Sequence, residues 1–191
     1  MVEKFLQPAV EIFVGIPSVV YGWIGLTILV PFIKDLFDLK FGFSVLSAGI
    51  VLAVMIYPTI TSLSADAIRS IPKSFRQASY GLGATRWQTI SQVVIPASKS
   101  GLMTAIVLGL ARAFGEALAV AMVIGKMKAF PESLLSPTTN LTAAIASDMG
   151  GAMEGSEYNI ALWSMALLLF IISLVFIFII HYISAKGGHK A

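Results

Sequence analysis

The sequence predicts an all-α membrane protein with four transmembrane helices, and three observations carry that expectation. Hydrophobic residues make up 57% of the 191 and charged residues only 12%, against about a quarter charged in an ordinary soluble domain. Too few charges remain to cover a water-facing surface, and the mean hydropathy is +0.88. Four stretches, residues 9–30, 43–63, 101–125 and 160–183, are apolar over the roughly 20 residues that a bilayer-crossing helix needs. Four of them in so short a chain argue against the alternative, a soluble core of buried helices. The length suits one domain. The absence of cysteine excludes disulfides and thiolate metal sites.

The first stretch reads as a span rather than a cleavable leader. Its apolar run is too long, Glu11 and Pro17 interrupt it, and no small-residue cleavage site precedes polar sequence. Orientation follows from Lys and Arg in the short connections. The segment 64–99 holds Arg69, Lys73, Arg76, Arg86 and Lys99 against Asp66 alone, and the tail holds Lys186 and Lys190 with no acid. The 126–158 loop sets Lys126 and Lys128 against Glu132, Asp148, Glu154 and Glu157, while the 34–42 loop is balanced. The expectation is that 64–99 and both termini face the cytoplasm and the other two loops face outward. Trp163 and Tyr182 fall near opposite ends of the last stretch, where aromatic belts belong.

Residues 64–99 are too polar to span and too well patterned for a slack loop. Pro72 suits the first position of a helix, where its missing N–H costs nothing. Phe75, Ala78, Ser79 and Leu82 then recur at i, i+3, i+4 and i+7, with Lys73, Arg76, Gln77 and Tyr80 on the other side. Gly83 suits the left-handed residue that closes such a helix. Thr85 suits the cap of a second, running through Trp87, Ile90, Val93 and Val94 until Pro96 interrupts it. Pattern alone leaves two uses for this knuckle: lying on lipid headgroups or docking a partner.

The third stretch carries Arg112 and Glu116 near its middle. A charge at that depth costs about 2.5–3.5 kcal/mol on insertion scales. Four residues apart on one helix, the two share a face and can pair. One reading is a buried clamp between helices; the other is a substrate path, because Arg presents a planar donor fork suited to phosphate oxygens. Small residues recur at every fourth position of the same stretch, from Gly101 through Ala105, Gly109, Ala113, Ala117 and Ala121 to Gly125. Such rows permit close helix packing in lipid, and at this spacing the row should meet more than one neighbour. Pro17 and Pro58 are expected to kink their spans. His181 and His189 show no metal-ligand spacing, no phosphate-binding GxxxxGK[ST] loop is present, and no HExxH or nucleophile–base set supports catalysis.

The string Gln77-Ala78-Ser79, three residues, Gly83, nine residues, Val93-Val94-Ile95-Pro96 resembles the Glu-Ala-Ala coupling loop of ABC importer permeases. It keeps that pattern's spacing, its Gly and its Pro, with Gln77, Ser79, Val93 and Ile95 as departures. The segments 15–22, 83–90 and 112–116 resemble phosphate importer permeases, and 119–125 and 141–146 resemble their PstC-type subunits. The resemblance implies an ABC importer transmembrane domain over the whole chain, in the cytoplasmic membrane, with no enzymatic activity or cofactor of its own. It assigns coupling to Gln77, Ala78, Ser79, Gly83, Val93, Ile95 and Pro96, and the translocation route to Arg112 and Glu116. The implied partners are a PstA-type second permease subunit, two ATP-binding cassette subunits and an extracytoplasmic phosphate-binding protein, with no nucleic acid. Family members usually have six spans, so a chain with four is expected to be a shortened form or a fragment. A permease for molybdate, sulfate or amino acids, and a non-transporting scaffold, are the rival readings.

Overall fold

A computed structural model describes residues 10–188. The start of the first predicted span at residue 9, and the tail residues His189 and Lys190, lie outside the described residues. After a short helical stretch at 10–15, seven further helices follow among the described residues: α1 (Ser18–Leu36), α2 (Val45–Arg69), α3 (Lys73–Gly81), α4 (Arg86–Gly115), α5 (Leu118–Val123), α6 (Leu141–Asp148) and α7 (Glu157–Gly188). Four of them, α1, α2, α4 and α7 over Glu157–Ile183, are long and apolar enough to cross a membrane. They overlap the four predicted stretches, but four of their ends differ for identifiable reasons.

Prolines account for three of the differences. Pro17 separates a helical stretch at 10–15 from α1 instead of kinking one continuous span, and it sits in extended backbone at the N-cap. A proline disfavours helical geometry in the residue before it. Pro31 and Pro96, by contrast, end nothing. Each is preceded by a π-helical turn, Gly25–Leu29 in α1 and Thr89–Val94 in α4. There the N–H of the residue before the proline reaches back five residues, Val30 to the Gly25 carbonyl and Ile95 to the Ile90 carbonyl. The wider turn shifts the hydrogen-bond register just where the ring lacks a donor and crowds the preceding turn. α1 therefore continues to Leu36. The second knuckle helix, expected to stop at Pro96, is instead the first turns of α4.

The fourth difference is a break. The predicted 101–125 helix stops at Gly115, and Glu116 is extended (φ −72°, ψ 121°) before α5 begins. Side-chain and loop partners replace the lost helical bonds: the Glu116 carboxylate accepts from the Ala119 N–H at 3.1 Å, and the Glu116 carbonyl accepts from Thr142 Oγ1 at 2.7 Å.

α5 is the centre of the packing. Ala119, Val120 and Val123 are fully enclosed, against Val51 and Met55 of α2. Gly22 and Gly25 let α1 approach: a Cβ on Gly22 would stand 2.8 Å from the Ala119 Cα, and one on Gly25 would stand 2.6 Å from a Val51 methyl. α2 and α4 pack through the small-residue row, where Gly101 faces Ala67 and Gly109 faces Ile60. Further along α4, Phe114 stacks on Phe176 of α7 at 5.0 Å. Within α4 the contacts of the row's glycines are to α2, and the contact to α7 is made by Phe114, which lies beside the row. α7 leaves many large apolar side chains exposed, Trp163, Phe170 and Phe178 among them, and lipid is the solvent that suits such a surface.

The loop after α5 folds over the start of α2. Ser44, Val45 and Leu46 donate their N–H groups to the carbonyls of Val123, Ser136 and Leu134, and the Ser47 N–H goes to Ser44 Oγ. The N–H groups that a helix start leaves unpaired are all satisfied, three of them by chain about 90 residues away. Gly125 turns the chain with φ +100°, closed in by Pro137 and Phe43.

Candidate functional site

Two sites predicted from the sequence lie on the α2–α4 pair, one at the α3 end and one where α4 breaks. At the first, α3 ends as local chemistry dictates. Gly83 adopts φ +82°. Its N–H donates to the Tyr80 carbonyl at 3.0 Å, and the Ala84 N–H donates to the Ser79 carbonyl at 3.2 Å. These two bonds make a Schellman closure, which needs a left-handed residue. Thr85 then opens α4 with a capping box: its Oγ1 accepts from the Gln88 N–H, and Gln88 Oε1 accepts from the Thr85 N–H at 2.8 Å. Pro72 stands one place before the expected position, at the cap itself.

The knuckle presents an open groove between α3 and the base of α4, lined by Phe75, Ala78, Ser79 and Leu82 on one side and Gln92 and Val93 on the other. The apolar face read from the sequence is this groove wall, and Leu82 stands 90% exposed at its rim. Of the residues the resemblance singled out, Ala78, Ser79 and Val93 meet in the groove. Gly83 forms the turn, while Gln77, Ile95 and Pro96 lie exposed outside it. Ser79 is buried and its Oγ lies 2.9 Å from Thr89 Oγ1. That contact was not readable beforehand, because it joins two helices across the glycine turn.

At the second site, Arg112 and Glu116 do not share a helical face. The helix ends between them, so the pairing expected from their i, i+4 spacing is not made. The half-buried Arg112 turns to α2, where Nη1 donates to Thr59 Oγ1 at 3.4 Å. Glu116 turns the other way and holds the start of α5, where a carboxylate meets unpaired N–H groups and the positive end of the helix dipole. Beside the break an apolar hollow is lined by Leu52, Ala113, Phe114, Leu141 and Leu169, with Asn140 and Thr142 as its polar edge. Thr59 and Thr142 were missed in the sequence. Thr59 is one of several hydroxyl residues after Pro58, with Thr61, Ser62 and Ser64 close by, so nothing local singled it out.

A third cluster lies at the opposite end from the knuckle. Lys128 Nζ is 3.1 Å from Asp148 Oδ2 and 4.0 Å from the Tyr158 ring centroid, and the Tyr158 hydroxyl donates to the same carboxylate. The Tyr158 and Lys128 donors hold the Asp148 carboxyl below its ordinary value, and Tyr158 and Asp148 in turn raise Lys128. The cluster ties the loop after α5, the end of α6 and the start of α7 together. Among the described residues no group of His, Cys, Asp or Glu is arranged to hold a metal ion.

The chain is 56% identical over 184 residues to the probable ABC transporter permease protein YqgH of Bacillus subtilis, covering 96% of this chain and 60% of that protein. It is 35% identical over 190 residues to the phosphate transport system permease protein PstC of Haemophilus influenzae, covering 90% and 60%. It is 37% identical over 205 residues to PstC of Pasteurella multocida, covering 95% and 63%. The chain thus spans 60–63% of the length of these relatives. No solved structure matches it. Residues 1–187 match the family of binding-protein-dependent transport system inner membrane components, and the chain belongs to that family.

Proposed function

We propose that this chain forms part of the membrane-spanning permease of an ATP-driven phosphate importer. The observation that carries the reading is the knuckle: a helix ended by left-handed Gly83, a second opened by the Thr85–Gln88 box, and an exposed apolar groove between them. An amphipathic helix that leaves such a face open suits a helix-in-groove contact. Phosphate as the substrate is supported by relatives named as phosphate transport system permeases. On this reading the partners are a PstA-type second permease subunit, two ATP-binding cassette subunits under the knuckle, and an extracytoplasmic phosphate-binding protein. The knuckle faces the cytoplasm together with both termini.

Closure of the ATPases would move α3, and with it the α2–α4 pair. Arg112 lies on that pair, and its guanidinium, anchored to Thr59 at one nitrogen, keeps further donors free for the oxygens of a passing anion. Glu116 acts beside it by fixing the break in α4 and the seat of α5, not as the partner of Arg112. Gln77, Ala78, Ser79, Gly83, Val93, Ile95 and Pro96 form the coupling element.

Gly83→Val tests the reading. A β-branched residue is strained at φ +82°, so the Schellman closure should open while the spans still insert. In the complex reconstituted with ATPases and binding protein, ATP hydrolysis should persist with phosphate uptake reduced by roughly tenfold or more, the effect of about 1.4 kcal/mol. A Gly83→Val complex that retains its ATPases and couples normally would remove the coupling assignment.

A further inference from the structure

The last turn of α2 leaves carbonyls with no donor inside the helix. Two are met locally: the Asp66 carbonyl accepts from the Ser70 N–H at 2.9 Å, and the Ala67 carbonyl from Ser70 Oγ at 2.8 Å. The third is met from the next helix, where Arg76 Nη2 of α3 donates to the Ile68 carbonyl at 3.3 Å. A cation there also meets the negative end of the α2 dipole. Arg76 is half-buried, and its Nε is enclosed without a hydrogen-bond partner. The side chain is therefore folded against protein, although its place in the sequence pattern puts it on the polar face of α3. Three residues on, Ser79 reaches the other way. Its hydroxyl meets Thr89 Oγ1 at 2.9 Å, and Thr89 Oγ1 in turn donates to the Thr85 carbonyl at 3.1 Å. Thr89 is the first residue of the π-helical turn in α4.

We infer that Arg76 and Ser79 are positioning residues that make α3 a crossbar, fastened by Arg76 to the end of α2 and by Ser79 to the base of α4. The inference rests on the coupling reading above and says how a movement of the knuckle reaches the helices. α2 and α4 are the two helices that bring Thr59 and Arg112 into contact. Thr59 lies nine residues before Ile68, roughly 14 Å along α2 at about 1.5 Å per residue. Ala67, next to the carbonyl that Arg76 holds, is also the residue that Gly101 of α4 packs against. A displacement of α3 held at both points carries α2 and α4 together. With Arg76 loosened, α4 would follow α3 while α2 lagged, and the Thr59–Arg112 contact would lose its timing.

The test uses Arg76→Gln, Arg76→Lys and Ser79→Ala in the full complex with its ATPases and phosphate-binding protein in proteoliposomes. It reads ATPase stoichiometry, ATP hydrolysis and phosphate taken up per ATP. Arg76→Gln should assemble and hydrolyse ATP normally while phosphate per ATP falls roughly twofold to tenfold, the span that one net hydrogen bond allows. Arg76→Lys keeps a cationic donor for the Ile68 carbonyl and should recover most of the ratio. Ser79→Ala should lower the ratio independently. An unchanged ratio in Arg76→Gln overturns the crossbar. Loss of the ATPase subunits from Arg76→Gln also overturns it, placing Arg76 in the docking surface and leaving the coupling reading intact. If Gly83→Val couples normally, the coupling reading beneath the inference fails instead.

Discussion

Arg112 and Glu116 divide the work that their spacing assigned to a pair. Among the described residues Arg112 hydrogen-bonds a neutral hydroxyl, Thr59 Oγ1, and no carboxylate, so its charge is left for another partner in a segment where charge is expensive. Arg112→Gln should assemble and lose phosphate uptake by roughly tenfold or more, since hydrogen bonds to charged groups are worth about 1.5–3 kcal/mol. Arg112→Lys, which keeps the charge without the planar fork, should fall between. Wild-type uptake by the Gln variant in reconstituted complexes would end the anion-path role. Glu116 predicts a different pattern. Glu116→Gln retains an oxygen to accept from the Ala119 N–H and should be mild. Glu116→Ala removes it and should destabilise the chain by about 0.5–2 kcal/mol, as loss of a helix cap does, measurable as a lower unfolding midpoint in detergent. Equal stability of the two variants would contradict the capping role.

At the scale of elements, the α2–α4 contact depends on residues that have almost no side chain. A Cβ on Gly109 would stand 2.4 Å from Ile60 Cγ1, and one on Gly101 would stand 2.7 Å from the Ala67 Cβ. Overpacking of this kind costs about 1–3 kcal/mol. Gly109→Val is expected to push α4 off α2, lower thermal stability, and weaken coupling through the Thr59–Arg112 contact above it. Gly49, which has open space around its Cβ position, gives the control: Gly49→Ala should be neutral or slightly stabilising on helix propensity. Equal melting temperatures for Gly109→Val and Gly49→Ala would show that the close approach carries no weight. The π-helical turns belong to this scale as well. They let α1 and α4 run through Pro31 and Pro96, the second of which the sequence pattern marks as a stop.

For the whole molecule, the proposed orientation puts the knuckle in the cytoplasm and the loop after α5 outside. The excess of Lys and Arg in 64–99 motivates it. Ser74 on α3 and Ser133 in that loop are both exposed, and the chain has no cysteine of its own. Ser133→Cys should react with a membrane-impermeant maleimide in intact cells, and Ser74→Cys only after the cells are opened. Labelling of Ser74→Cys in intact cells would reverse the topology.

What the sequence determined by itself was everything set by composition or by neighbours a few residues apart. The excess of apolar residues named the solvent, the four long runs named the spanning helices, and Gly83 and Thr85 announced the turn and cap that the structure shows. These signals are local: a left-handed glycine or a capping hydroxyl acts on backbone within about four residues. The tertiary structure decided the rest. The apolar run from Gly101 to Gly125, which reads as one span, breaks after Gly115 at Glu116, where Thr142, 26 residues away, donates to the Glu116 carbonyl and the carboxylate holds the next helix. Arg112 turns to Thr59, 53 residues back, and Arg76 turns to the end of α2. Each depends on a partner that only packing brings near, and periodicity carries no record of which partner that will be.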